Sequence, residues 1–308
     1  MRLQIIHETR YDYVPVVHQA QHMAYLQPRN TVCQQLCHYQ LQVLPTPATL
    51  QASTDVFGNT RQYVALEQAH AQLQVIARSE VLTYGARNAA SHLSWEATRA
   101  HLTWQSGAPW DAAGAFALPT LLTGHSDELL AFAQPCFAAG QALLHSARLL
   151  MQHIHASLRY ESHSTQVHTP AGQALAQGRG VCQDFAHIMI ACLRARGLAA
   201  RYVSGYLLTQ PAPGQPRLVG SDASHAWVSV YLPDLATDPQ NTPWWDFDPT
   251  NLRDGCGAPG EDYVTLAWGR DYEDVAPLRG VIRGGDQHRL QVAVTTRPLD
   301  AIGLPQPG

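Results

Sequence analysis

Three residues in the sequence could do chemistry together: Cys182 in Gly178-Arg179-Gly180-Val181-Cys182-Gln183-Asp184-Phe185-Ala186-His187, His225 in Ser224-His225-Ala226-Trp227, and Asp248 in Trp245-Asp246-Phe247-Asp248-Pro249-Thr250-Asn251. After Cys182, Phe185, Ile188, Met189, Cys192 and Leu193 fall at helical spacing, and Gly197 stands where a C-cap would. Cys182 is therefore expected at a helix N-terminus, where exposed N–H groups and the helix dipole favour a thiolate. A nucleophilic thiol needs a base beside it and a third group that holds the base in the right tautomer. His225 and Asp248 lie on predicted strands downstream, at separations that suit antiparallel neighbours brought to one edge. Asp246, two residues earlier and on the same strand face, is the rival orienter. The plain alternative for Cys182 is an inert buried thiol.

Other reactive residue types weigh less. Cys192 reads as core. His187, five residues past Cys182, points to another side of the helix. His153 and His155 diverge on a predicted helix, and His163 and His168 fall in a polar loop without a paired cysteine or carboxylate pattern, so no metal or cofactor is expected. Cys33 and Cys37 lack a second pair and are assigned to β structure. Arg270, Asp271 and Asp274 either line the cleft or form an ion-pair network.

The elements that must position these groups follow from periodicity. Residues 1–85 read as an antiparallel β-sandwich-like domain, with alternation over 72–81 and 36–43 and turn chemistry at Asp55-Val56-Phe57-Gly58-Asn59. Residues 86–130, rich in Ala, Gly, Ser and Trp, are read as a connecting segment. Residues 131–308 form the catalytic core: Gln141–Leu158 has helical periodicity, and strands are expected over Ala200–Leu208, Ser224–Leu232, Trp244–Asn251 and His288–Thr296. Ser126-Asp127-Glu128 opens a further helix.

Composition excludes several classes. The chain has 308 residues, 45% of them hydrophobic and 14% charged, which permits a sizeable core and excludes global disorder. A formal charge of -4 leaves no footprint for nucleic acid or an anionic membrane. All twenty basic residues are Arg, so there is neither a Schiff-base lysine nor a P-loop lysine. Six cysteines are too sparse for a disulfide scaffold, and no signal sequence or membrane-spanning run is recognised. The expected location is cytoplasmic.

Taken in order, Gly180-Val181-Cys182-Gln183-Asp184-Phe185-Ala186, Arg201-Tyr202-Val203-Ser204-Gly205-Tyr206, His225-Ala226-Trp227-Val228 and Asp248-Pro249-Thr250-Asn251 resemble the core of the transglutaminase-like superfamily. His7-Glu8-Thr9-Arg10-Tyr11-Asp12-Tyr13, Gln27-Pro28-Arg29 and 55–59 resemble the N-terminal β region of its bacterial members, and 269–280 resembles their C-terminal segment. The resemblance implies an α+β, transglutaminase-like (papain-like) fold. It also implies a Cys182/His225/Asp248 triad that acts through a thioester acyl-enzyme on a peptide or protein amide, hydrolytic by preference. The backbone N–H of Cys182 is the expected oxyanion donor, with Gln177 and Gln183 as candidates for a second. The alternatives are acyl transfer to an amine and a non-catalytic binding module. Arylamine acetyl transfer uses a similar triad, but nothing in the chain suggests a coenzyme A site, and the oligomeric state is left open.

Overall fold

The computed structural model describes residues 1–107, 109–209, 224–237 and 241–299. The chain opens with β1 (Arg2–Ala24), whose first half alternates, with Leu3, Ile5, His7 and Thr9 buried. It is followed by β2 (Gln34–Leu44), β3 (Thr49–Thr54), β4 (Thr60–Leu66) and β5 (His70–Thr83). The turn between β3 and β4 is held by Asp55, whose Oδ1 accepts from the N–H groups of Phe57 and Asn59. An Asx turn of this kind is what the Asp-x-x-Gly-Asn run predicts.

The connecting segment contains α1 (Trp95–Leu102), capped by Ser94, and a 3₁₀ turn over Ala112–Ala117. Then come α2 (Asp127–Ala133), with Ser126 as N-cap, and α3 (Leu143–Ser157), which buries Leu143, Leu144, Ala147, Leu150, Met151 and Ile154. Next are the two-residue strand β6 (Arg159–Tyr160), α4 (Ala171–Gln177), the two-residue strand β7 (Arg179–Gly180) and α5 (Cys182–Arg194). Every α5 residue after Cys182 is buried, so this helix is the axle of the core. It ends as the glycine signal predicts. Gly197 takes φ +74°, and the bonds Leu198 N–H to Leu193 O and Gly197 N–H to Arg194 O close a Schellman motif.

The second sheet consists of β8 (Ala200–Leu207), β9 (Ser224–Tyr231), β10 (Trp244–Asp248), β11 (Arg253–Cys256) and β12 (Tyr263–Gly269), antiparallel in the order β11-β10-β9-β8-β12. Along β9, Ala226, Val228 and Val230 pack in the main core with α5, while Trp227 faces the other side with Val203 and Tyr263. Short α6 (Tyr272–Val275) leads to β13 (Leu278–Gly284) and β14 (Gln287–Pro298).

These last two strands return to the N-terminal region. β14 pairs with the first half of β1 and β13 with its second half, while β5 and β4 pair with the same two halves. The N-terminal antiparallel region thus takes the form of one curled seven-stranded sheet around β1. It encloses a core of its own, including Tyr13, Val17, Leu66 and Leu73, while Leu3, Ile5 and Val81 join the core around α5. Alternation over 288–296 announces a strand but does not name its partner. Position in the chain grouped this segment with residues 131–308, whereas its hydrogen bonds run to β1.

Candidate active site

Cys182 is the first residue of α5 and is half-buried. The turn that presents it is fixed by Asp184, whose Oδ2 accepts from the N–H of Val181 (2.8 Å) and the hydroxyl of Thr165 (2.6 Å). A carboxylate at this position satisfies one of the free N–H groups at the helix start. Asp184 is itself buried, and burial biases its carboxyl upward from the usual range against these bonds.

His225 sits near the start of β9, opposite Gly205 of β8. A Cβ at Gly205 would run into the Trp227 indole and the Val264 carbonyl oxygen, so glycine is what lets Trp227 lie across β8. Trp227 in turn stacks beside His225, with ring centroids 6.2 Å apart. On the adjacent β10, Asp248 places Oδ2 2.7 Å from His225 Nε2. With Nε2 on Asp248, Nδ1 is the ring atom left for Cys182, which lines the same cavity as the imidazole.

Asp248 is fully buried, and its oxygens are well supplied with donors. Oδ1 accepts from the N–H groups of Thr250 (2.9 Å) and Asn251 (3.2 Å). Oδ2 accepts from Asn251 Nδ2 and the Tyr263 hydroxyl, each at 2.8 Å, besides His225. Burial opposes the charge on Asp248, but His225, Asn251 and Tyr263 outweigh it and hold the carboxyl below its ordinary value. For His225, burial again works against charge. The hydrogen bond to Asp248, the neighbouring Cys182 and the charge of Asp248 reverse that and raise the imidazole to about 10. Asp248 therefore favours the charged form of the ring against the cost of its burial.

Cys182 and His225 open into a cavity of about 340 Å³ that Tyr160, Leu207, Thr250 and Asn251 help to line. Tyr160 is presented by the β6–β7 pairing, opposite Gly180. Asp246, the rival orienter, shares the strand face of Asp248 but lies further along β10 and serves other groups, accepting from Trp227 Nε1 (3.1 Å) and Ser229 Oγ. Neither glutamine considered as an oxyanion donor is at the cavity. Gln183 donates to the Val167 carbonyl (2.8 Å), and Gln177 is exposed on α4. Gln183 is the residue next to Cys182, and one helical step turns it away from the site.

The remaining candidates are placed as follows. His187 is fully buried and accepts from the Tyr272 N–H (3.2 Å). Arg270 pairs with Asp274 (2.9 Å) and Asp271 caps α6, so this trio is a network that fastens the C-terminal segment. His153 stacks on Phe132, and His155 bonds the Pro249 carbonyl (3.0 Å), next to Asp248. Cys33 is buried near Cys256, Cys37 is exposed on β2, and Cys192 is core. Among the described residues no group of His, Cys, Asp and Glu is arranged to hold a metal ion. No helix among them is long and apolar enough to cross a membrane. Sequence reasoning missed Tyr160, Asp184 and Tyr263. Asp184, at the third position of α5, carried a legible signal as a capping acid.

Residues 3–82 match the bacterial transglutaminase-like N-terminal region, and residues 131–249 match the transglutaminase-like superfamily. An uncharacterized protein of Mycobacterium tuberculosis is 35% identical over 98% of this chain and 95% of its own length. One from Mycobacterium leprae is 30% identical over 95% of this chain and 97% of its own. Among solved structures, one from Cytophaga hutchinsonii, described as a "putative cysteine protease", superposes with a TM-score of 0.71 at 21% identity, covering 99% of this chain and 93% of that one. At that identity the likeness concerns the fold. The chain belongs to the transglutaminase-like superfamily, with the bacterial N-terminal region in front of the core.

Proposed function

We propose that the protein is a cysteine-dependent acyl-transfer enzyme that cleaves a peptide or protein amide, with water as the preferred acceptor. The observation that carries this reading is the His225 imidazole, bonded to a buried carboxylate and opening together with Cys182 into one cavity. The Cys182 thiolate attacks the amide carbonyl carbon and forms a C–S bond. His225 then gives its proton to the amide nitrogen as the C–N bond breaks and the amine leaves. Neutral His225 next takes a proton from water, whose oxygen attacks the thioester. The acid departs and the thiolate–imidazolium pair is restored. The N–H groups at the start of α5 face the developing oxyanion, with Tyr160 across the cavity.

The test uses a panel of peptide amides with mass spectrometry of the protein during turnover. A mass increment equal to the acyl group on Cys182, and no turnover by Cys182→Ala, are expected. Turnover that survives Cys182→Ala would overturn the reading. Adding a primary amine decides the acceptor: the free acid should remain the main product, and a product that becomes predominantly the new amide would assign transamidation instead.

A further inference from the structure

Two arginines are buried to the same degree and are treated very differently. Arg194, on α5, donates to the carbonyls of Phe116 (2.8 Å), Ala200 (2.9 Å) and Arg270 (2.7 Å) and to the Thr123 hydroxyl (2.6 Å). Arg201, at the start of β8 and only 7% exposed, has no hydrogen bond or ion pair to any described residue, and its Nε is buried without a partner. Its guanidinium carbon instead lies over two indoles, 3.6 Å from the Trp268 centroid and 4.1 Å from that of Trp244. Cation–π contacts of this kind satisfy none of the N–H donors of the group. Arg29, whose guanidinium carbon lies 3.7 Å from the Trp268 centroid, adds positive charge nearby. A buried guanidinium whose donors meet no acceptor is costly, and the chain shows at Arg194 how it satisfies one.

Arg201 borders two cavities. The smaller, about 180 Å³, is shared with Asp246, which already supplies negative charge there. The larger, about 620 Å³, is walled by Phe57, Trp110, Phe116, Trp244 and Trp268. Its one carboxylate, Asp111, has its oxygens engaged by Tyr231, His101 and the Ala113 N–H. Aromatic walls around one planar cation whose N–H groups have no hydrogen-bonded acceptor select a flat apolar body that ends in a single planar anion. We propose that the larger cavity is a second binding site, distinct from the Cys182 cavity, for an organic carboxylate whose carboxyl group takes the free edge of Arg201 and whose apolar body packs on the aromatic walls. The two cavities share no lining residue. Along β8, Arg201 lies four residues, about 13 Å of strand, from the position that faces His225.

Isothermal titration of the full chain with benzoate, benzamide and inorganic phosphate tests this. Benzoate should bind at least tenfold more tightly than its neutral isostere benzamide and than phosphate. It should bind equally well after Cys182 has been carbamidomethylated. Arg201→Gln should weaken benzoate at least tenfold and leave benzamide unchanged. Should that variant not fold, Trp110→Ala, at a rim residue that is 56% exposed, should weaken benzoate severalfold. Equal binding of benzoate and benzamide overturns the site. Tighter binding of phosphate replaces the carboxylate by a simple oxyanion, and loss of benzoate binding on carbamidomethylation moves it to the catalytic cavity; either result defeats the proposal.

Discussion

Two aspartates on one face of β10, two residues apart, hold different jobs because each meets different donors. Asp248 meets His225, and its own turn and Tyr263 keep it ionised and fixed. Asp246 meets Trp227 and Ser229, and burial biases it toward the neutral form, with Arg201 acting against that through its charge. Their asparagine variants should therefore behave differently. Asp248→Asn keeps the shape but favours the wrong tautomer of His225, so kcat with a peptide amide should fall on the order of 10³- to 10⁴-fold with little change in fold. Asp246→Asn should lower unfolding stability and leave kcat within about tenfold, read from urea melts and the same assay. Tyr263→Phe removes one hydrogen bond to the charged Asp248 and should cost about tenfold in kcat. If Asp246→Asn is the more damaging to kcat, the assignment of the orienter is reversed.

Elements place these side chains, and the sequence shows some elements better than others. The strands β8, β9 and β10 were legible from runs of β-branched and aromatic residues, and α5 from the spacing of Phe185, Ile188, Met189, Cys192 and Leu193 up to Gly197. α1 and the 3₁₀ turn were not, because Ala- and Gly-rich segments show no strong period. These segments are held instead by tertiary contacts such as Arg194 to Phe116. Tyr160 was hidden for a different reason: two-residue strands are too short to have a pattern, and their pairing depends on residues twenty positions apart. Asp184 is the element-scale support of Cys182. Asp184→Ala leaves the part-buried Val181 N–H without its acceptor and removes the inner cap of α5, which should cost about 2 kcal/mol. A lowered urea midpoint at unchanged m-value would show it, accompanied by slower alkylation of Cys182 by iodoacetamide. An unchanged midpoint would mean that water replaces the carboxylate at no cost.

At the scale of the molecule, the curled sheet and the half built around α5 are joined by buried polar contacts, one of them made by a titratable histidine. Gln34 Nε2 donates to the Thr265 carbonyl (2.9 Å), Asn59 Nδ2 to that of Trp268 (2.8 Å), and His7 of β1 is bonded to the Tyr206 hydroxyl of β8 (2.9 Å) and to Thr9 (3.0 Å). Burial lowers His7 and His22 to about 4 and His187 to about 3, so all three are neutral in the folded chain, whereas unfolding would return them to about 6.5. Between those values the unfolded chain binds more protons, and stability falls as pH falls. His225 has the opposite sign: its folded value is raised, so its contribution is complete below about 6.5 and is lost as pH rises toward 10. Together they place maximal stability near neutral pH. From pH 7 to pH 5 each depressed histidine near 4 should remove roughly 2 kcal/mol. The variant His7→Gln, which can keep both hydroxyl partners but does not titrate, should lose about that much of the pH dependence in urea melts at pH 5, 6 and 7. A slope identical to that of the parent chain would show that His7 does not hold the two sheets together as an uncharged ring.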